Sequence, residues 1–150
     1  MKRLLVAAAA LAALTVTGCG GSGPGSLTVH GTVQVFANPL NGATVQDAYP
    51  DIAPGSQVTV TNASGAVIGT GSLVYDSGTT KMAEQAFAAA IPGTSASTYS
   101  EWVEAFSFTV RIPGGLARYG IEAGQNRGTL WFTAAQMRKG PALSLGSMTG

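Results

Sequence analysis

Histidine, cysteine and charge are scarce in this chain: of its 150 residues one is histidine, one is cysteine and 10% are charged. Each scarcity excludes a class of chemistry. A tetrahedral zinc site takes three or four Cys, His or carboxylate ligands, so neither a metal nor a cofactor is expected. Ser-His-Asp catalysis would have to use His30 as its base, and His30 falls on the polar face of a strand among threonines. No glycine-rich loop follows a strand and opens a helix in the phosphate-binding manner; the 21 glycines mark turns instead. With a single cysteine, no disulfide forms within the chain, and the domain must be held by its core alone. A formal net charge of +1 provides no field toward nucleic acid. The longest apolar run is 13 residues, short of the roughly 20 that a spanning helix needs.

That run, Leu4 to Val16, follows Lys2 and Arg3 and is broken only by Thr15. Small residues then lead to the cysteine, leaving room for a peptidase to reach the backbone. The tetrapeptide Val16-Thr17-Gly18-Cys19 resembles the lipobox of bacterial lipoproteins. The resemblance implies that the Cys19 thiol receives a diacylglycerol and that the chain is cut just before it. Palmitate-type chains would then hold the exported protein on the outer face of the cell membrane. Residues 1–18 thus read as a signal peptide and 19–26 as a tether, Gly20 to Ser26 being GGSGPGS with nothing to bury. Residues 27–150 read as one β domain.

Cleavage there would leave 132 residues with six basic and seven acidic side chains, enough chain to bury a core without staples. Polybasic membrane binding is not implied by that balance. The charges are nonetheless uneven. Residues 20–104 carry six acids against Lys81, and residues 105–150 carry five bases against Glu122. The expectation is that these halves neutralise each other across the fold. Abundant Gly, Ala, Ser and Thr with three lysines suit a GC-rich genome, such as that of an actinobacterium or its phage.

Leu27 to Phe36 alternates, with Leu27, Val29, Gly31, Val33 and Val35 on one side and Thr28, His30, Thr32 and Gln34 on the other. Asn41-Gly42 signals a turn, and Gln46 to Ile52 is polar and proline-broken, hence a loop. Gln57 to Thr61, the Asn62–Gly65 turn and a returning strand from Ala66 to Tyr75 predict a hairpin. Lys81 to Ala90 is alanine-rich and suits a helix, ended by Pro92-Gly93. Phe106, Phe108, Val110 and Ile112 alternate with polar residues; Tyr119 and Ile121 continue on a neighbouring strand after a Pro113-Gly114-Gly115 turn. Thr129 to Phe132 and Ala142 to Leu145 close the pattern around a helical turn at Ala134 to Lys139. Strands at roughly 8- to 12-residue spacing predict an all-β fold. It would be a small antiparallel β-sandwich, immunoglobulin-like or transthyretin-like, or a partly open barrel, with one or two short helices. Val29, Val33, Val58, Val60, Phe106, Phe108, Val110 and Ile112 should form one core.

The order DIAPGSQVTVTNASGAVIGTGSL, FSFTVRIPGGLARYGIEAG, NRGTLWFTAAQM and ALSLG resembles a group of small actinobacterial exported proteins of unknown function. The resemblance spans most of residues 47–146 and implies a fold but no activity. Those proteins commonly pair a cysteine before the Asp-Ile loop with another leading the FxFxV strand. Here Ala48 and Ala105 stand near those positions.

Two acid pairs, Asp47 with Asp51 and Glu101 with Glu104, read as solvated loop charge ahead of calcium binding or glycoside-hydrolase-like catalysis. Trp102 and Trp131, with Tyr49 and Tyr99, read as core or rim packing ahead of a ligand surface. Arg111, Arg118 and Arg127 could form one basic face if the C-terminal strands are neighbours, or pair with Glu101, Glu104 and Glu122. The reading that follows is a non-enzymatic surface lipoprotein. It would be held by a lipid on Cys19 and bind a protein or envelope component, through Arg111, Arg118 and Arg127 or around Tyr49 and Trp102. A phage-encoded superinfection-exclusion lipoprotein and a small carboxylate-dependent hydrolase are the alternatives.

Overall fold

The computed structural model of the protein describes residues 25–38, 42–90 and 100–146. The lipobox with Cys19, the tether up to Pro24, Asn41, Pro92-Gly93 and Tyr99 lie outside the described residues. In chain order the elements are β1 (Ser26–Phe36), α1 (Val45–Ala48), β2 (Gln57–Thr61), β3 (Val67–Ser72), β4 (Val74–Tyr75) and α2 (Ser77–Ala90). They continue with β5 (Val103–Pro113), β6 (Arg118–Ala123), β7 (Leu130–Thr133), α3 (Ala134–Lys139) and β8 (Ala142–Leu145). Two four-stranded sheets, ordered β4-β5-β1-β8 and β3-β2-β6-β7, stack as a small β-sandwich rather than a closed barrel.

The spine is the antiparallel β1–β5 ladder, in register from Ser26 opposite Pro113 to Phe36 opposite Val103. Its inward positions, Val29, Val33, Val35, Phe106, Phe108, Val110 and Ile112, are buried with Val58 and Val60 from the facing sheet, as the alternation predicts. Tyr119, Ile121, Ile52, Leu73 and Met137 are among the residues that join that core. Gly31 sits in the run because the Phe108 ring crosses it and would collide with any Cβ there. Outward on the same sheet, Phe36 and Val103 form a second cluster with Ala83 and Phe87 of α2.

α2 begins earlier than the alanine-rich stretch suggests. Asp76 caps it, its carboxylate accepting from the Thr79 N–H at 2.9 Å and the Thr79 hydroxyl at 2.8 Å. The start of the helix also closes the edge of β5 beyond short β4. The Asp76 N–H donates to the Ala105 carbonyl at 2.9 Å, and the buried Thr80 hydroxyl accepts from the Ala105 N–H at 2.9 Å. Ala105 is thus fixed by hydrogen bonds at a position where a cysteine was the expectation from resemblance.

Three expectations are corrected. The return strand from Ala66 to Tyr75 splits: β3 pairs with β2, but β4 crosses to the other sheet and pairs with Ser107 and Phe106 of β5. Gly69 and Gly71 cause this, because a Cβ at either would strike Val110 or Ile112 side chains or the β5 backbone. Without side chains there, β3 lies against β5, and the next residues reach its edge. Second, β5 and β6 are not paired neighbours; the Pro113–Ala117 turn carries the chain from one sheet to the other. The buried Tyr119 hydroxyl pins that turn, accepting from the Leu116 N–H at 3.1 Å and donating to the Pro113 carbonyl at 3.2 Å. This is the device by which a strand-initial tyrosine holds a sandwich corner. Third, residues 45–48 form a helical turn where a loop was expected, so the described residues hold three helices. β8, read only as a closing strand, pairs parallel with β1.

Phe108→Ala should cost about 3 to 5 kcal/mol, a large share of the roughly 5 to 15 kcal/mol a domain has. Gly31→Ala should cost about 1 to 3 kcal/mol through the displaced Phe108 ring. Thr109→Ala, on the exposed face where its hydroxyl meets His30 Nδ1 at 3.0 Å, should cost under about 0.5 kcal/mol. Urea unfolding of the three variants checks the register; equal losses at 108 and 109 would contradict it.

Candidate functional site

The two ends of the sandwich differ. At one end lie Ser26, the Asn62–Gly65 turn and the Pro113–Ala117 turn; at the other lie Phe36, α1, residues 100–103, the Gly124–Thr129 turn and Gly146. We call them the Ser26 end and the Phe36 end. The ladder between them is about 33 Å long at ~3.3 Å per residue.

The Phe36 end is built on α1. Thr44 caps it reciprocally: the Asp47 N–H donates to Thr44 Oγ1 at 3.2 Å, and the Thr44 N–H donates to Asp47 Oδ2 at 3.1 Å. The Thr44 hydroxyl, which donates to Asp47 Oδ2 at 2.7 Å, and then the Thr44 N–H hold the Asp47 carboxyl below the usual carboxylate range. The Val45 N–H donates to the Glu101 carbonyl at 2.8 Å, docking the turn on the segment that leads into β5. Gln46 Nε2 donates to Glu104 Oε2 at 3.3 Å beside it. The T-x-x-D spacing of Thr44 and Asp47 was a legible sign of a helix start.

At the centre of this end stands an ion pair between residues 76 apart in sequence. Arg127 Nε donates to Asp51 Oδ2 at 2.7 Å and its Nη2 to Oδ1, a two-pronged contact. The Gln125 N–H donates to the same carboxylate at 3.0 Å, and the Arg127 guanidinium lies 4.6 Å from the Tyr49 ring centroid. The pairing with Arg127 lowers the Asp51 carboxyl to about 2, against the cost of its partial burial. Asp51 in turn raises Arg127 above its ordinary value. Gly124 allows the approach, since a Cβ there would strike Asp51 and Ile52. Beside the pair, a cleft of about 220 Å³ runs between β8 and β6, lined by Ile121, Ala123, Leu130, Leu143 and Leu145 with Arg127 at its rim.

The predicted site residues are therefore divided. Tyr49 and Arg127 come together, with Asp51 between them in role. Trp102 is at the same end, half-buried and packed against both hydrophobic clusters. Arg111 and Arg118 are at the opposite end, exposed on the outer faces of different sheets. One basic face of three arginines does not form, because β5 and β6 belong to different sheets and the Gly124–Thr129 turn lies at the far end of β6. Nor does Arg127 pair through its side chain with Glu101, Glu104 or Glu122: its backbone N–H donates to Glu122 at 3.2 Å while its guanidinium takes Asp51. The Asp47 and Asp51 carboxylates are engaged with different partners and are both held ionised. Among the described residues no helix is long and apolar enough to cross a membrane. Comparison with protein-family models, curated proteins and solved structures finds no match to the chain.

Asp51→Asn should cost about 1 to 2 kcal/mol at pH 7, between the values for exposed and buried ion pairs. Because the folded carboxyl lies below its unfolded value of about 3.9, its stabilisation is present above that pH. It is lost as pH falls toward 2. The difference between wild type and variant in urea unfolding should therefore shrink from pH 7 to pH 2. An unchanged difference would assign the loss to packing rather than charge.

Proposed function

We propose that the protein is a membrane-anchored surface lipoprotein whose non-catalytic β-sandwich binds a protein or cell-envelope component at its Phe36 end. The observation that carries this reading is where a tether from Cys19 would join the fold. Ser26 opens β1 at one end of the ladder, opposite Pro113. The seven residues from Gly20 to Ser26 span at most ~25 Å when extended, at ~3.6 Å per residue. A lipid on Cys19 would therefore keep the Ser26 end near the bilayer and present the Phe36 end about 33 Å further out.

Several features of the outward end suit binding. Arg127 and Asp51 hold each other in one geometry, and Tyr49 is fixed under the guanidinium, so its aromatic and charged groups are pre-arranged. Glu101 is exposed beside them. The commitment of Asp47 to a helix cap and of Asp51 to Arg127 leaves neither as the raised-pKa acid a hydrolase needs. Non-catalytic recognition is the reading that this end supports best.

In cells, the mature protein should partition into detergent and carry the added mass of fatty chains on Cys19. Cys19→Ala should leave it in the aqueous phase or with its signal uncut, and unchanged partitioning would refute the anchor. Capture of an envelope component by the anchored protein should fall at least tenfold with Arg127→Gln plus Tyr49→Ala and persist with Arg111→Gln plus Arg118→Gln. The opposite pattern would move the site to the Ser26 end.

A further inference from the structure

The near-neutral charge of the chain conceals a separation along the sandwich axis. Arg111 lies opposite Thr28, two residues from the start of β1. Arg118 opens β6 opposite Thr133. α3, which starts after Thr133, carries exposed Arg138 and Lys139, and Gly140 after it abuts the His30 carbonyl. These four bases occupy the half nearer Ser26. All seven acids lie in the other half. Asp47, Asp51, Glu101 and Glu104 belong to the Phe36 end; Asp76 and Glu84 start on the Ala105 backbone and run over the Phe36–Val103 pair. Glu122 reaches the Arg127 backbone. Lys81 and Arg127 are the only bases among them, giving about −5 at the Phe36 end and +4 at the Ser26 end. Residues 39–41, 91–99 and 147–150 add no charged side chain. Among the described residues the one side-chain ion pair is Asp51–Arg127, within the acidic half. At a Debye length of about 8 Å the two halves act independently.

The basic half also carries exposed apolar groups. Val67, at the start of β3 beside the Asn62–Gly65 turn, is 60% exposed, and Trp131 is 42% exposed. Trp131 lies over Gly120 on the outer sheet face and shares a cleft of about 180 Å³ with Arg118 and Ala63. Arginine beside tryptophan is a pairing suited to a lipid headgroup layer, where the indole sits at the interface and the cation meets phosphate.

We infer that the Ser26 end is a docking face for an anionic phospholipid surface, met end-on, with Arg111 from one sheet and Arg118 from the other as its principal contacts and Trp131 beside Arg118. The inference rests on the lipid-anchor reading, since the chain length from Cys19 limits this end to within ~25 Å of the bilayer. A diacylglycerol on Cys19 would hold the chain on the bilayer without orienting the domain, whereas a basic patch adds an attraction to anionic lipid that depends on orientation. Docking the basic end orients the domain and drives the acidic end away from the same negative surface.

The test uses the mature acylated protein, from Cys19 onward, reconstituted in vesicles of phosphatidylcholine alone or with equal phosphatidylglycerol, both containing brominated lipid as quencher. The chain has two tryptophans, Trp102 at the Phe36 end and Trp131. With phosphatidylglycerol at low salt, fluorescence should be quenched, and Trp131→Phe should remove the quenched part. Arg111→Gln with Arg118→Gln should weaken docking more than tenfold, from about fivefold per basic group near the surface; Lys at both positions should retain it. Raising salt on the wild-type protein should release it in the same way, which keeps the test independent of any variant's folding. Equal quenching in phosphatidylcholine alone, or none in either, on protein whose Cys19 carries acyl mass would overturn the docking face while leaving the anchor intact. Absence of acyl mass on Cys19 would overturn both.

Discussion

Burying Val29, Val33 and Val35 on one strand and Phe106, Phe108, Val110 and Ile112 on its partner requires β1 and β5 to keep one register for eleven residues. A slip of a single residue would turn the whole apolar set to solvent. That ladder sets the long axis of the molecule and therefore decides what lies at each end. The second sheet is laid on it by residues without side chains. Gly69 and Gly71 let β3 rest on β5, while within the first sheet Gly31 makes room for the ring of its cross-strand partner Phe108. On the other side, α3 bridges β7 to β8 and buries Met137 against the core.

With no disulfide, the loops at the Phe36 end are held by polar contacts of the kind that bury little area. The reciprocal Thr44–Asp47 cap fixes α1, the Asp51–Arg127 pair joins the α1 loop to the β6–β7 turn, and Thr80 ties α2 to Ala105. The two carboxylates that these contacts use, Asp47 and Asp51, are kept ionised by their donors. Asp47 and Asp51, one of the two acid pairs weighed from the sequence, therefore serve as fasteners. The Phe36 end is thereby pre-formed, and the charges of the described residues are separated along the axis.

Much of the architecture is written locally. The period of two in Leu27–Phe36 and in Phe106–Ile112 assigns faces without knowledge of partners, because side-chain direction along a strand depends only on position. The Ala134–Lys139 helical turn and the Asn62–Gly65 turn are likewise local: the Asn62 side chain accepts from the Ser64 and Ala66 N–H groups, and Gly65 takes a positive φ. The α1 turn and the Asp76 start of α2 were also signalled, by a cap residue three positions before its partner. The first is hidden beneath a polar, proline-containing stretch that reads as loop, and the second lies ahead of the alanine-rich run in Ser77-Gly78-Thr79-Thr80.

By itself, then, the sequence determined the strand faces, the buried set and the scarcity of histidine and cysteine. Only the tertiary structure decided which strands are neighbours, and so which distant residues meet. Asp51 and Arg127 are brought together across 76 positions, and Arg111 and Arg118, seven positions apart, are sent to opposite faces because the turn between them changes sheets. The uneven charge of the two halves of the sequence was visible from the start, but whether they would interleave or separate was not. That depends on which end of the ladder each turn returns to, a property of chain path and sheet assignment that no local pattern encodes.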